Sequence, residues 1–202
     1  VQDGGQWDMF VNLIEKYGVV PQSVMAESFQ SSQSRMMNQF LTRKLREFAW
    51  TLRSMNDKGK KIADLRKEKE KMMSVIYTML CICLGDPPTK FDWQTRDKKN
   101  KFIRLTDLTP QDFYQKHCNV NLKDKVCLIH APMSNKKMNE LYTVSYLGNV
   151  VGGEIIKYAN VEIDDIKRAA IKSIKSNESV WFGCDVGKMF HRQLGLMHMD
   201  LY

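Results

Sequence analysis

Two long apolar stripes at helical spacing constrain this chain more than any other feature. Between residues 34 and 56, Met37, Leu41, Leu45, Phe48, Leu52 and Met55 step by three or four positions. That spacing puts all six on one face of an α-helix. A second run, residues 61–84, carries Ile62, Leu65, Met72, Ile76, Leu80 and Cys83 in a similar rhythm. "NDKGKK" breaks the two runs apart, and "GDPP" at 85–88 ends the second, because proline supplies no backbone N–H for a further helical turn. Two helices joined by so short a connection are expected to pack as an antiparallel hairpin.

The hairpin is also where the charge sits. The chain of 202 residues has a formal net charge of +8. Residues 35–71 hold twelve Lys or Arg and five Asp or Glu, and twelve less five leaves +7 of that excess. Such a field could attract nucleic acid or acidic peptides. The plainer reading is the solvated face of two long helices. Nucleic acid is the weaker expectation, since no reader motif is present.

Around the hairpin the pattern is mixed. Residues 7–17 read as a helix with Met9, Phe10, Leu13, Ile14 and Tyr17 on its apolar face and Gly18 as its stop. An irregular stretch runs from Pro21 through "AESFQSSQS". "KFDWQTRD" and "KFIRLTDL" read as two short strands around a charged turn. Thr109 and Pro110 open a helix in "TPQDFYQKH" as cap and first residue. "KVCLIHAP" and "ELYTVSYL" read as strands, "GNVVGG" as a turn, and residues 163–175 as an amphipathic helix through Ile163, Ile166, Ala170 and Ile174. The continuous apolar run in "SVWFGCDVG" reads as a buried strand, with Trp181 in the core. Helices come first and strands later, which is the α+β class.

Composition excludes several functions. No run of about 18 apolar residues exists, so no membrane-spanning helix is expected. The chain starts at Val1 without Met or a signal-like apolar segment, and so reads as part of a longer protein. Its five cysteines, Cys81, Cys83, Cys118, Cys127 and Cys184, are odd in number and mostly in apolar runs. Buried, reduced thiols are expected. None has the makings of a nucleophile or metal site. His117 and Cys118 are adjacent on a helix and do not face each other. Cys127 and His130 fall on opposite faces of a strand. Cys81 and Cys83 are one residue too close for the usual zinc spacing. His191 and His198 merely flank "RQLGLM". No phosphate loop, zinc-finger spacing or paired-carboxylate pattern occurs.

The glycine pair before the first helix is less ordinary. Ser, Thr, Asp or Asn usually caps a helix, but here "DGGQW" precedes it. Two glycines mark a place where backbone must come close to something else.

"DGGQWDMFVNLIEKYGV" and "VWFGCDVGKMFHRQLGLMHMDLY" resemble the bleomycin hydrolase family of papain-like cysteine aminopeptidases, related to bacterial aminopeptidase C. "REFAWTLR", "CICLGDPP", "LTPQDFYQKH", "LYTVSYLGNVVGG" and "SIKSNESVWFGCDVGK" are similar to it too, in the same order and across essentially the whole chain. The resemblance implies a partial papain-like cysteine peptidase fold with a helical insertion. It assigns 1–30 to the helical half, 31–130 to the helical insertion and short strands, and 131–202 to a link into the barrel-like half.

The same resemblance implies a cytosolic enzyme that hydrolyses N-terminal peptide bonds and the bleomycin amide, acting on peptide substrates. Its catalytic Cys would lie upstream of Val1, and its His and Asn downstream of Tyr202. No metal or organic cofactor is implied. Gly4 and Gly5 match the glycine pair that lines the substrate cleft, with Gln6 and Trp7 bordering the adjoining pocket. Gly183 and Cys184, in the strand 180–185, would shape its opposite wall. The alternative for Gly4-Gly5 is a plain tight turn. The resemblance also implies a hexameric ring whose active sites face an interior channel, which makes the basic 35–71 face a candidate inter-subunit or channel surface.

Overall fold

The computed structural model describes residues 5–118, 120–184, 187 and 189–198. The chain divides into two units, one of residues 1–126 and 143–157, the other of 127–142 and 158–202. In the first unit, helix α1 spans Trp7–Tyr17, a single turn α2 spans Phe29–Ser32, and the long helices α3 and α4 span Arg35–Asp57 and Ile62–Leu84. The expected hairpin is therefore present, within a residue at each end. Leu41 of α3 and Met72 and Ile76 of α4 are its buried residues, and all lie on the two stripes. Gly85 ends α4 at φ +91, its N–H bonded to the Cys81 carbonyl at 2.9 Å. The short α2 falls in the stretch expected to be irregular. Ser28 starts it by accepting the Ser31 N–H at 3.1 Å.

Strands β1 (Phe91–Arg96) and β2 (Phe102–Leu108) pair antiparallel, with a register shift between Phe91 and Trp93. The turn between them is organised by Asp97, whose carboxylate accepts the N–H groups of Lys99 and Lys101 at 2.8 and 2.9 Å. Helix α5 (Pro110–His117) follows. Thr109 caps it by accepting the Asp112 N–H at 3.1 Å, as its sequence promised. Phe113 on α5 joins Phe91 and Leu108 in a small core that Val19, Val20, Val24, Trp93, Leu105 and Cys118 cover. The Trp93 ring stands edge-on to Phe113 with centroids 5.2 Å apart, a favoured aromatic geometry.

The second unit contains a three-stranded sheet with order β3-β5-β4, formed by Leu128–Ile129, Glu140–Tyr142 and Tyr158–Asn160 for β3, β4 and β5. β5 runs parallel to β3 and antiparallel to β4. The two strands read from sequence are thus real but short, and β5 is an addition. Asn160 on β5 is fully buried. Its side chain accepts the Ala131 N–H at 2.8 Å and donates to the Lys137 carbonyl at 3.0 Å. Helix α6 (Ile163–Lys175) matches the reading to the residue, and β6 (Phe190–His191) pairs with β7 (Leu196–Met197).

Three expectations are corrected. The run "SVWFGCDVG" is not a buried strand over its described part. Residues 179–184 form neither helix nor strand, and Trp181 and Phe182 are 68% and 79% exposed. An apolar run becomes a strand only where neighbouring strands offer backbone partners, and no described strand pairs with it. The thiols are free as expected, but Cys81, Cys83, Cys118 and Cys127 are only half-buried and Cys184 is exposed. Finally, α1 buries Val11, Asn12 and Ile14, while Phe10, Leu13 and Tyr17 of the anticipated face are exposed. The reason is what packs on it: the strap 149–157 covers the side carrying Asn12, and α5 packs on the C-terminal end near Glu15 and Gly18.

Candidate functional site

The candidate wall begins at the first turn of α1. Gly4 lies outside the described residues. Gly5 is exposed, and a Cβ there would meet nothing within 4 Å. The fold's own packing therefore places no demand for glycine at this position. Gln6 follows in extended backbone, at φ −133 and ψ 156. It resolves the missing cap. The Gln6 side-chain oxygen accepts the N–H of Asp8 at 2.7 Å and of Met9 at 3.3 Å. Two of the four unpaired amides of a helix start are thereby satisfied. Gln takes the place of the shorter Asp or Asn, which is why the usual capping signal is absent. Trp7 is half-buried, its ring centroid 5.7 Å from that of Phe10.

Helix α1 is anchored along its length. Gln111 on α5 donates to the carbonyls of Glu15 and Lys16 at 3.1 and 2.6 Å, closing the C-terminal end of α1. The Tyr114 hydroxyl donates to the Glu15 carboxylate at 2.7 Å, and Lys123 pairs with it at 3.1 Å. These contacts hold the Glu15 carboxyl below its usual value, the Tyr114 hydrogen bond first among them. Along the helix, the strap 149–157 is bound by side chains of α1. Asn12 exchanges two hydrogen bonds with the backbone of Glu154, and Asp8 accepts the N–H of Lys157 at 2.8 Å. Ile156 of the strap is 2% exposed. Neither Asn12 nor Asp8 was singled out from the sequence. Both are polar residues on a helix, and their partners are distant backbone groups.

Gly5, Gln6 and Trp7 are contiguous at this helix start. Gly183 and Cys184 belong to the second unit, exposed, with open space where a Gly183 Cβ would project. The Cys81 thiol donates to the Asp86 carboxylate at 3.7 Å. Burial pushes the Cys118 thiol up, away from the thiolate that attack requires. His130 engages the Val161 carbonyl through Nδ1 at 3.0 Å, and His191 accepts the Leu194 N–H at 3.4 Å. Among the described residues no group of three or more His, Cys, Asp or Glu could hold a metal ion, and no helix is long and apolar enough to cross a membrane.

The family model for the Peptidase C1-like family matches residues 1–202. Human bleomycin hydrolase is 45% identical over 202 residues, covering 99% of this chain and 44% of that protein. Aminopeptidase C of Listeria monocytogenes is 47% identical over 201 residues, covering 100% of this chain and 45% of that protein. A crystal structure of pepw from Lactobacillus rhamnosis superimposes with a TM-score of 0.90 at 48% identity, over 96% of this chain and 44% of that one. The chain thus spans less than half the length of the relatives it matches.

Proposed function

The chain belongs to the Peptidase C1-like family, and from that premise we propose that it is the middle segment of a cytosolic cysteine aminopeptidase of the bleomycin hydrolase type. The whole enzyme hydrolyses N-terminal peptide bonds and the bleomycin amide. Its thiolate–imidazolium pair comes from chain outside these 202 residues. The thiolate attacks the peptide carbonyl, an oxyanion hole stabilises the tetrahedral intermediate, and the imidazolium gives its proton to the leaving amine. Water then attacks the thioester, releasing the carboxylate product and regenerating the thiol.

The segment's contribution is substrate placement. The Gly4-Gly5 backbone lies alongside an extended peptide and pairs with it strand to strand. Gln6 and Trp7 border the adjoining side-chain pocket. The observation that carries this reading is Gly5 itself. It is exposed, it leads into extended backbone at Gln6, and no neighbour explains its missing side chain. Gly5→Val in the full-length enzyme is expected to weaken turnover more than folding. Unchanged kinetics in a folded variant would retire the assignment. Residues 1–202 alone are expected to show no thiol-dependent hydrolysis of an aminopeptidase substrate. Measurable hydrolysis would put the nucleophile back inside this chain.

The α3–α4 hairpin is the proposed subunit contact of a hexameric ring. The hairpin exposes Met36, Phe40, Trp50 and Ile82 alongside the basic run, and exposed Met, aromatic and Arg side chains are enriched where subunits meet. The competing reading, a basic module for nucleic acid, requires tight and steeply salt-dependent DNA binding. Sizing of the full-length protein, with a DNA titration at two salt concentrations, separates the two.

A further inference from the structure

Asp8 sits between the candidate wall and the strap, and bonds to both. Its Oδ2 atom accepts the backbone N–H of Lys157 at 2.8 Å and the Gln6 side-chain N–H at 3.3 Å. Gln6 in turn uses its other terminal atom, Oε1, to cap α1 through the Asp8 and Met9 amides. The Gln6 carboxamide is therefore held at both ends, by the helix start on one side and by the Asp8 carboxylate on the other. One helical turn further on, Asn12 and Glu154 exchange paired hydrogen bonds, and Gly153 approaches so closely that a Cβ on it would lie 2.9 Å from the Asn12 side chain. Lys16 adds a bond to the Val151 carbonyl at 3.0 Å. Positions 8, 12 and 16 recur every four residues and so line one side of α1. The strap is thus fastened along the helix, and its last fastening is the one that reaches Gln6.

We infer that Asp8 is a positioning residue for substrate binding, coupling the strap 149–157 to the Gln6 side of the pocket. The inference rests on the proposed role of Gln6 in the cleft wall. Asp8 itself touches no substrate. It fixes which way the Gln6 carboxamide points, and the strap fixes Asp8. A pocket edge held this way binds peptide without the entropic loss of ordering a free side chain. Losing the hold weakens binding of substrate while leaving the reacting groups, which lie elsewhere, unaltered.

The test uses the full-length enzyme, with working sites counted by titration with a thiol-directed inhibitor. Asp8→Ala is expected to raise KM by about three- to tenfold with kcat changed by less than about twofold, the range set by one oriented hydrogen bond. Asp8→Asn keeps an oxygen acceptor at the same reach and is expected to restore KM. Lys157→Pro deletes the strap donor without touching α1 and is expected to raise KM in the same direction. It carries the test if Asp8→Ala does not fold. A merely structural Asp8 would lower the fraction of working sites or the Tm and leave KM alone. Wild-type KM in folded Asp8→Ala or Lys157→Pro, or an Asp8→Asn as impaired as Asp8→Ala, overturns the inference. Gln6→Ala separates the two levels. If it raises KM while the Asp8 and Lys157 variants do not, only the coupling fails. If it leaves KM unchanged, the wall assignment fails and the coupling goes with it.

Discussion

Asn12 and Glu154 act as a backbone pair although only one contributes its backbone. The Asn12 Nδ2 donates to the Glu154 carbonyl at 2.9 Å, and the Glu154 N–H donates to Asn12 Oδ1 at 2.9 Å, across 142 residues of chain. Asn12 is 6% exposed, whereas Glu154 is exposed on the strap, so the pair is buried on the helix side. Asn12→Leu is expected to destabilise the full-length protein by about 1–3 kcal/mol, since two hydrogen bonds between α1 and the strap are lost. Gly153→Ala pushes a methyl against the same carboxamide and is expected to cost about 1–3 kcal/mol. The two losses should not add, because either one already breaks the contact. A thermal or denaturant double-mutant cycle reads this directly, and strict additivity would mean the sites are independent.

Gly18 and Gly85 both end their helices at positive φ with extended ψ, −164 and 163, a region essentially confined to glycine, but in different surroundings. Gly18 has φ +73, and a Cβ there would lie 2.2 Å from the Pro110 carbonyl carbon. Gly85 has φ +91 with nothing within 4 Å. Gly85→Ala is expected to cost about 1–3 kcal/mol, the conformational strain alone. Gly18→Ala carries that strain and must also push apart α1 and the start of α5, so its loss is expected to exceed that of Gly85→Ala by about 1–3 kcal/mol. Comparing the two unfolding midpoints is sufficient, and equal losses would show that α5 yields freely.

These contacts mark where local sequence stops being informative. The hairpin, α5 and α6 were legible because a helical stripe, the Thr109-Pro110 start and the "GDPP" stop are short-range signals. The β1–β2 hairpin was legible for the same reason. The buried side of α1 was not, because Asn12 counts as polar until its backbone partner 142 residues away is known. β5 was missed because Tyr158–Asn160 is three residues long and exists by pairing with β3 and β4. The apolar run at 180–182 misled in the opposite direction, since apolar character does not supply a strand partner. At the site, the glycine pair signalled a special backbone, but the cap was overlooked because Gln6 is not a usual capping residue.

Glu15 gives the fold a defined response to acid. Its carboxyl lies below its ordinary value because Tyr114 and Lys123 favour the charged form. A carboxyl lowered on folding contributes stability in full above its unfolded value and loses it as pH falls through the native one. The contribution is therefore whole at neutral pH and disappears on acidification below the ordinary glutamate value of 4.5. Glu15→Gln is expected to flatten the stability profile in that acidic window. Tyr114→Phe, which removes the largest cause, is expected to do so in part. Acid titrations of Tm on the three proteins check this, and parallel profiles would assign the acid response to other carboxyls.

Asn160 organises the second unit as Asn12 does the strap. At 0% exposure, its side-chain oxygen takes the Ala131 N–H at 2.8 Å and its amide nitrogen faces the carbonyls of Ala131, Lys136 and Lys137 at 3.3, 3.5 and 3.0 Å. Its own carbonyl receives the Asn139 N–H at 2.6 Å. One residue therefore pins both ends of the 131–139 loop against β5. Asn160→Ala is expected to cost about 2–4 kcal/mol through the unpaired groups and the space left behind. Asn160→Asp is the sharper variant. It keeps the acceptor for Ala131 but turns a donor into a carboxylate oxygen facing three carbonyls, so at neutral pH it should destabilise at least as much as alanine. Lowering the pH protonates that carboxyl and returns a donor, so the Asn160→Asp protein should regain stability relative to the alanine variant as the solution is acidified. Thermal unfolding against pH, with hydrogen exchange at the Ala131 and Asn139 amides, distinguishes this from a site where only volume matters, in which case the aspartate variant would be nearly neutral at every pH.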